Sequence, residues 1–254
     1  MVFDRFGLEG KVAIVTGAGR GLGATMALSL AQAGAAVIAV ARTEREIRET
    51  AEAVRQIGKT GLAVPTDVTD SKAVDQLVER VSIEFGSVDI LINNAGGENG
   101  LGKPLTELDD EEWRQILATN LTGAFYCTRA AGRHMLNHGW GRIINVTCIY
   151  GVRGGASQTA YAAAKGGLIQ FSQALALEWA KRGVTVNTLG LGWFEDQPLA
   201  QPNAETRAQL KRAIPVQRLG TPMDIESVLV YLASDASRYF TGQSIWLDGG
   251  LLCR

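Results

Sequence analysis

The chain has 254 residues, enough for one sizeable hydrophobic core, and its 25 Lys and Arg against 26 Asp and Glu leave a formal net charge of −1. Such a balance offers no basic field for phosphate backbones, which excludes nucleic acid as a partner. The three cysteines, Cys127, Cys148 and Cys253, are widely spaced and fit neither a disulfide framework nor a metal ligand set, so a reducing, cytoplasmic setting without a metal site is expected.

The opening residues Met1 to Phe6 carry an acid and break their apolar run early, unlike a secretory signal, so the mature chain is expected to begin here. Val12 to Val15 predicts a first strand, which runs into Thr16-Gly17-Ala18-Gly19-Arg20-Gly21-Leu22-Gly23 ahead of a helical pattern. Glycines at such a place permit a tight turn and let backbone N–H groups approach a pyrophosphate at the helix N-terminus. Gly17, Gly21 and Gly23 give G-x-x-x-G-x-G, which departs from the ordinary dinucleotide G-x-G-x-x-G. The competing reading is a turn with a purely structural purpose; the strand before it and the helix after it favour the dinucleotide.

Gly21 to Ala41 contains no charged residue and is long enough to span a bilayer. Alanine and glycine dominate it, however, and Ala33-Gly34-Ala35 divides a helical pattern from the β-rich Val37 to Val40. A buried helix followed by a central strand is therefore predicted, with no membrane association. That strand ends at Ala41-Arg42, where NAD-selective proteins commonly place an acid for the ribose 2′-OH. Arg42 and Arg20 instead suit a 2′-phosphate, which favours NADP(H), unless both are simply solvated surface charges.

Further strands are predicted at Ile90–Ile92, Ile143–Val146, Val184–Val186 and Ser244–Leu247. Helices are predicted at Glu44–Ile57, Lys72–Phe85, Glu111–Leu136, Ala160–Lys181 and Met223–Ala233. The alternation implies an α/β fold in a single domain over residues 1–254, a doubly wound parallel sheet of about seven strands with helices on both faces. Gly190 to Arg212 mixes Gly, Pro, Gln and charges, and is expected to be a mobile excursion acting as a substrate lid.

Three more motifs stand in register with the glycine loop: Asn93-Asn94-Ala95-Gly96 after a strand, Asn120 in Thr119-Asn120-Leu121, and Tyr161-Ala162-Ala163-Ala164-Lys165. With the ending Leu247-Asp248-Gly249-Gly250, they make the chain resemble the short-chain dehydrogenases/reductases over essentially its whole length. Its general pattern is similar to 3-oxoacyl carrier-protein reductases, and Gly192-Trp193-Phe194 is similar to sugar-acid dehydrogenases such as gluconate 5-dehydrogenase.

The resemblance implies a Rossmann fold, a ketone or secondary alcohol as substrate, and a homotetramer. It implies that Gly17, Gly19, Arg20, Gly21, Leu22 and Gly23 hold the cofactor's phosphates, and that Asp67 and Val68 frame the adenine. Asn94, Ala95 and Gly96 would support the cofactor, as would Gly192 and the backbone of Phe194, while Asn120 would hold a water linking Lys165 to solvent. Tyr161 and Lys165 lie one helical turn apart, so an ammonium can sit near the phenol and favour its phenolate. Tyr161 would then act as acid and base, and Lys165 would also bind the nicotinamide ribose.

Two positions depart from the family's pattern. Thirteen residues before Tyr161 the family has a serine, and Cys148 stands there, a weaker donor with a bulkier sulfur. It can be a natural variant with slower chemistry, an introduced change, or a thiol with a covalent role of its own, although neither His134 nor His138 stands in a motif that would activate one. Thr147 has the hydroxyl but should face the opposite side of its strand. Leu191-Gly192 replaces Pro-Gly, which predicts a larger apolar surface near the nicotinamide, continued by Trp193 and Phe194. The leading reading is an NADP(H)-dependent ketoreductase; the alternative is a weakened nucleotide-binding sensor or scaffold.

Overall fold

A computed structural model describes residues 1–97, 102–195 and 204–254. Seven strands, β1 (Val12–Thr16), β2 (Ala36–Ala41), β3 (Gly61–Pro65), β4 (Ile90–Asn93), β5 (Gly141–Cys148), β6 (Val184–Leu191) and β7 (Ser244–Leu247), form one sheet in the order β3-β2-β1-β4-β5-β6-β7. All six pairings are parallel. Parallel sheets need cover on both faces, which is why β1 reads as an unbroken apolar run. Its Ala13 and Val15 face one core, and its Val12 and Ile14 face the other.

The first core lies under α1 (Gly21–Gln32), α2 (Glu44–Gln56) and α8 (Met223–Ala233), whose Met26, Leu30, Ile47 and Leu229 are fully buried. The second lies under α3 (Ser71–Phe85), α5 (Gly123–His138) and α6 (Thr159–Trp179), through Val74, Val78, Cys127, Met135 and Ala176. The uncharged stretch from Gly21 thus divides into α1 and β2, and among the described residues no helix is long and apolar enough to cross a membrane.

Local chemistry sets the helix starts. The Asp70 carboxylate accepts from Lys72 N and Ala73 N to cap α3, and Asp109 forms a reciprocal capping box with Glu112 at α4 (Asp110–Leu117). Two elements differ from the sequence reading. β3 lies outside the six apolar runs because it is a half-buried edge strand bounded by Gly61 and Pro65. The single helix expected over Glu111–Leu136 is α4 and α5 joined by a π turn at Ala118–Thr122, which contains Asn120.

The strand order reverses between β1 and β4, which opens a crevice at their C-terminal ends. Four of the segments carrying the sequence motifs end there: the glycine loop after β1, Asn94 after β4, Cys148 at the end of β5 and Gly192 after β6.

Candidate active site

At the end of β1, the Thr16 hydroxyl ties two motifs together. It donates to Ile92 O at 3.1 Å and accepts from Asn94 N and Ala95 N, each at 3.0 Å. The Asn94 amide in turn donates to Thr16 O and Gly17 O at 3.1 and 3.2 Å. The loop is held from the opposite side by Ala18 N donating to Val40 O at 3.1 Å and by the Thr50 hydroxyl donating to Ala18 O at 2.8 Å. Gly17 has a φ of 67°, and a Cβ on Gly23 would stand 2.0 Å from Gly17 O, so neither position takes a side chain. Gly21 begins α1 and Leu22 packs half-buried against the core, which turns the first-turn N–H groups of α1 toward the crevice. At Gly19 a Cβ would come within 2.9 Å of Glu46 Oε2.

Arg20 and Arg42 flank this loop. Both are exposed, and neither forms a hydrogen bond or ion pair among the described residues. Arg42 is close enough for its charge to act on Asp67. Burial alone would raise that carboxyl, but two hydrogen bonds from Thr69 and the Arg42 charge together hold it below its ordinary range. Val68 is buried against Gly123, where a Cβ would meet Val68 Cγ2 at 2.8 Å. The crevice is therefore cationic at its β2 edge and lined by bare backbone at its centre. An oxyanion-bearing ligand fits such a cradle.

The second half of the site lies across Gly96. A Cβ there would stand 2.8 Å from Asn120 Oδ1 and 3.5 Å from Lys165 Nζ, so the glycine lets these groups approach one another. The Asn120 amide donates to Ile116 O at 3.0 Å and Gly97 O at 3.1 Å, and its Oδ1 accepts from Gly97 N at 3.3 Å. Asn120 is thus a buried clamp between the π turn and the strand-end loop. Lys165, 5 % exposed, donates to Val146 O at 3.0 Å and places its ammonium 5.6 Å from the centroid of the Tyr161 ring.

Cys148 completes the group. Its thiol lies near enough to the backbone N–H groups of Tyr150 and Gly151 and to the Tyr161 side chain for each to favour the thiolate. Burial pushes the thiol above its ordinary range, and the nearby Lys165 charge offsets only part of that rise. Thr147 points the other way, its hydroxyl donating to Lys165 O at 3.1 Å, and cannot stand in for the missing serine. His134 and His138 lie in the last turns of α5, where His134 Nδ1 meets the Ser82 hydroxyl at 3.0 Å and His138 Nδ1 meets His134 O at 3.0 Å.

After β6, Gly192 N donates to Leu247 O at 2.9 Å, and a Cβ on Gly192 would lie 2.7 Å from Asp248 Cα. The apolar wall expected here is smaller than the sequence suggests. Leu191 is 3 % exposed and packs in the core with Leu189, because alternation along β6 turns both toward the α1 side. Phe194 is 1 % exposed with its ring against Gly220. Half-buried Trp193 extends the wall outward, to a cavity of about 290 Å³ that Tyr150, Arg153 and Arg254 also line.

Residues 196–203 of the expected lid lie outside the described residues. The remainder of 190–212 runs from β6 to α7 (Ala204–Ala213), and Glu195 and Arg207 join its two ends in a 2.7 Å ion pair. Neither Arg153 nor Arg254 stands in a sequence motif, since no spacing rule links a loop residue to one more than 100 positions away.

Comparison with known proteins agrees with this geometry. The family described as enoyl-(acyl carrier protein) reductase matches residues 17–252. The 3-oxoacyl-(acyl-carrier-protein) reductase FabG of Vibrio cholerae is 41 % identical over 244 residues, covering 96 % of this chain and 98 % of that protein. The structure of a gluconate 5-dehydrogenase from Burkholderia cenocepacia, in complex with NADP and tartrate, matches with a TM-score of 0.94 at 32 % identity and covers all of both chains. A short-chain type dehydrogenase/reductase from Mycobacterium marinum matches with a TM-score of 0.93 at 33 % identity, again over both whole chains.

Proposed function

This chain belongs to the short-chain dehydrogenase/reductase family of oxidoreductases, and from that premise we propose that it binds NADP(H) and interconverts a ketone and a secondary alcohol, with Tyr161 as acid and base. The observation that carries this reading is the convergence of Asn120, Cys148, Tyr161 and Lys165 beside the glycine cradle at the C-terminal ends of β4 and β5.

The cradle fits a dinucleotide. At Gly17, Gly23 and Gly96 a Cβ would collide with Asn94, Gly17 O and Asn120, so only bare backbone lets the loop and the two strand ends close up into a cradle, and Arg20 and Arg42 stand exposed where a 2′-phosphate would lie. Asp67 and Val68 would frame the adenine, with Asn94, Ala95 and Gly96 along the middle and Gly192 and the Phe194 backbone at the nicotinamide. NADPH held there would supply the hydride.

The chain's own residues move the proton and hold the substrate. In reduction, the Tyr161 hydroxyl gives its proton to the alkoxide oxygen, and in oxidation the Tyr161 phenolate accepts the proton of the alcohol. The Lys165 ammonium favours the phenolate electrostatically and is held by Val146 O. Asn120 positions the loop around Gly97 so that a water can reach Lys165 from solvent. Cys148 S–H takes the place of a hydroxyl donor to the substrate oxygen, a weaker aid to the developing charge.

We further place the chain in a reducing compartment, in keeping with its free cysteines, and read it as a homotetramer, in keeping with exposed Phe125 on α5 and Leu177 on α6. The testing experiment is oxidation of NADPH and of NADH over a panel of ketones from small cyclic to bulky aromatic, with sugar acids and acyl thioesters included. Turnover with NADPH in preference to NADH is expected. Cofactor binding without turnover of any panel member would contradict the reading.

A further inference from the structure

We propose that the cavity beyond Cys148 holds an anionic end of the substrate, recognised by Arg153 and Arg254, so that the ketone reduced by this enzyme carries a carboxylate or phosphate remote from its reacting carbon. The inference rests on the reductase reading and assigns the charge of its substrate.

Position comes first. Ile149 and Tyr150 line the cavity and directly follow Cys148, whose thiol lies near the Tyr161 side chain. Chain continuity therefore sets the cavity beside Cys148, next to where the reacting oxygen would lie. Trp193 and Leu251 add apolar surface to its lining.

The side-chain charge is one-sided. Two guanidinium groups line the cavity, and no Asp or Glu among the described residues does. The Arg153 side chain makes no hydrogen bond or ion pair among the described residues. The exposed Arg45, Arg48, Arg55 and Arg80 are different, since each pairs with a glutamate three or four positions away. Arg254 spends one donor, Nη1, on Ala213 O at 3.3 Å, which steadies it against the end of α7 and leaves the rest of its planar fork open. Two such forks lining one small cleft suit an oxyanion group, since each guanidinium can donate two parallel N–H bonds to it.

Size narrows the class. A volume of about 290 Å³ falls just below the range of drug-sized ligand sites, roughly 300 to 1,000 Å³, and suits a short acid or a phosphate ester more than a long acyl chain.

The test compares matched ketones that differ in charge: 4-oxopentanoate against its methyl ester, and dihydroxyacetone phosphate against dihydroxyacetone, with wild type, Arg153→Gln and Arg254→Gln. Wild type should favour the charged member of at least one pair by tenfold or more in kcat/KM, with the preferred pair naming carboxylate or phosphate. Each substitution should lower kcat/KM for the charged ketone roughly tenfold further than for its neutral partner, the scale of one lost charge-assisted bond, and added salt should erode the preference. Equal handling of charged and neutral ketones by wild type, or equal losses in the variants, would overturn the inference. Calorimetric binding of 4-oxopentanoate and dihydroxyacetone phosphate to the NADPH-loaded protein keeps the two readings apart. Failure to reduce any ketone counts against the reductase, whereas anion binding that is absent or indifferent to both substitutions counts against the arginine site.

Discussion

The Lys165 ammonium stands 5.6 Å from the centroid of the Tyr161 ring, on the same face of α6 and one turn further along. The geometry follows from the i, i+4 spacing, and the burial of Lys165 makes its charge felt more strongly than at the surface. Tyr161→Phe removes the proton donor while keeping the ring. It should lower turnover at least ~100-fold, the scale of general acid–base catalysis, and leave NADPH affinity nearly as it was. Lys165→Met should weaken both. Paired kinetics and NADPH fluorescence titration check this, and a Tyr161→Phe enzyme with near wild-type turnover would leave the sensor alternative standing.

Cys148→Ser should raise turnover of small ketones on the order of tenfold or more, because a hydroxyl donates more strongly than a thiol to developing negative charge. The Tyr150 and Gly151 N–H groups that face the sulfur would then hold the serine oxygen in place. Steady-state kcat measures this. A loss confined to the chemical step would instead assign the thiol a role of its own.

Arg42→Asp should weaken NADPH binding about 10- to 100-fold more than NADH binding, since it replaces attraction for a 2′-phosphate with repulsion. Asp67 loses the charge that helps hold its carboxyl down, so a small common loss for both coenzymes is expected as well. Direct titration of each coenzyme separates the two effects, and equal losses would remove Arg42 from the phosphate site.

Alkylation should follow burial: exposed Cys253 first, Cys148 more slowly, and Cys127 only on unfolding. Desolvation pushes the Cys127 thiol up to about 12. A group raised in the folded state binds more protons there than in the unfolded chain, so its contribution is complete below about pH 9, the ordinary value of the thiol, and is lost as pH rises toward about 12. Urea midpoints should therefore fall across that alkaline window, and less steeply in Cys127→Ala. Mass spectrometry of labelled peptides and urea titrations over pH are the measurements.

Much of this was legible in the sequence because parallel strands buried on both faces leave apolar runs, and because the glycine loop, Asn94-Ala95-Gly96 and Tyr161/Lys165 have fixed spacings. Alternation along β5 also predicted that Thr147 would turn away from Cys148, as its bond to Lys165 O shows. The π turn at Asn120 was not legible, since one extra residue in a turn leaves the surrounding helical pattern intact. Nor was the place of Leu191, expected beside the nicotinamide but enclosed with Leu189 in the core. The pairing of Arg153 with Arg254 arises only when the loop after β5 and the segment after β7 meet over α7.

Isotope tracing follows the hydride itself. With NADPH deuterated at the transferable C4 position and a ketone from the panel, the deuterium should appear on the carbinol carbon of the alcohol product, and Tyr161→Phe should slow its arrival without redirecting it. Deuterium that stays on the coenzyme while product forms, or that is recovered in water, would contradict the account.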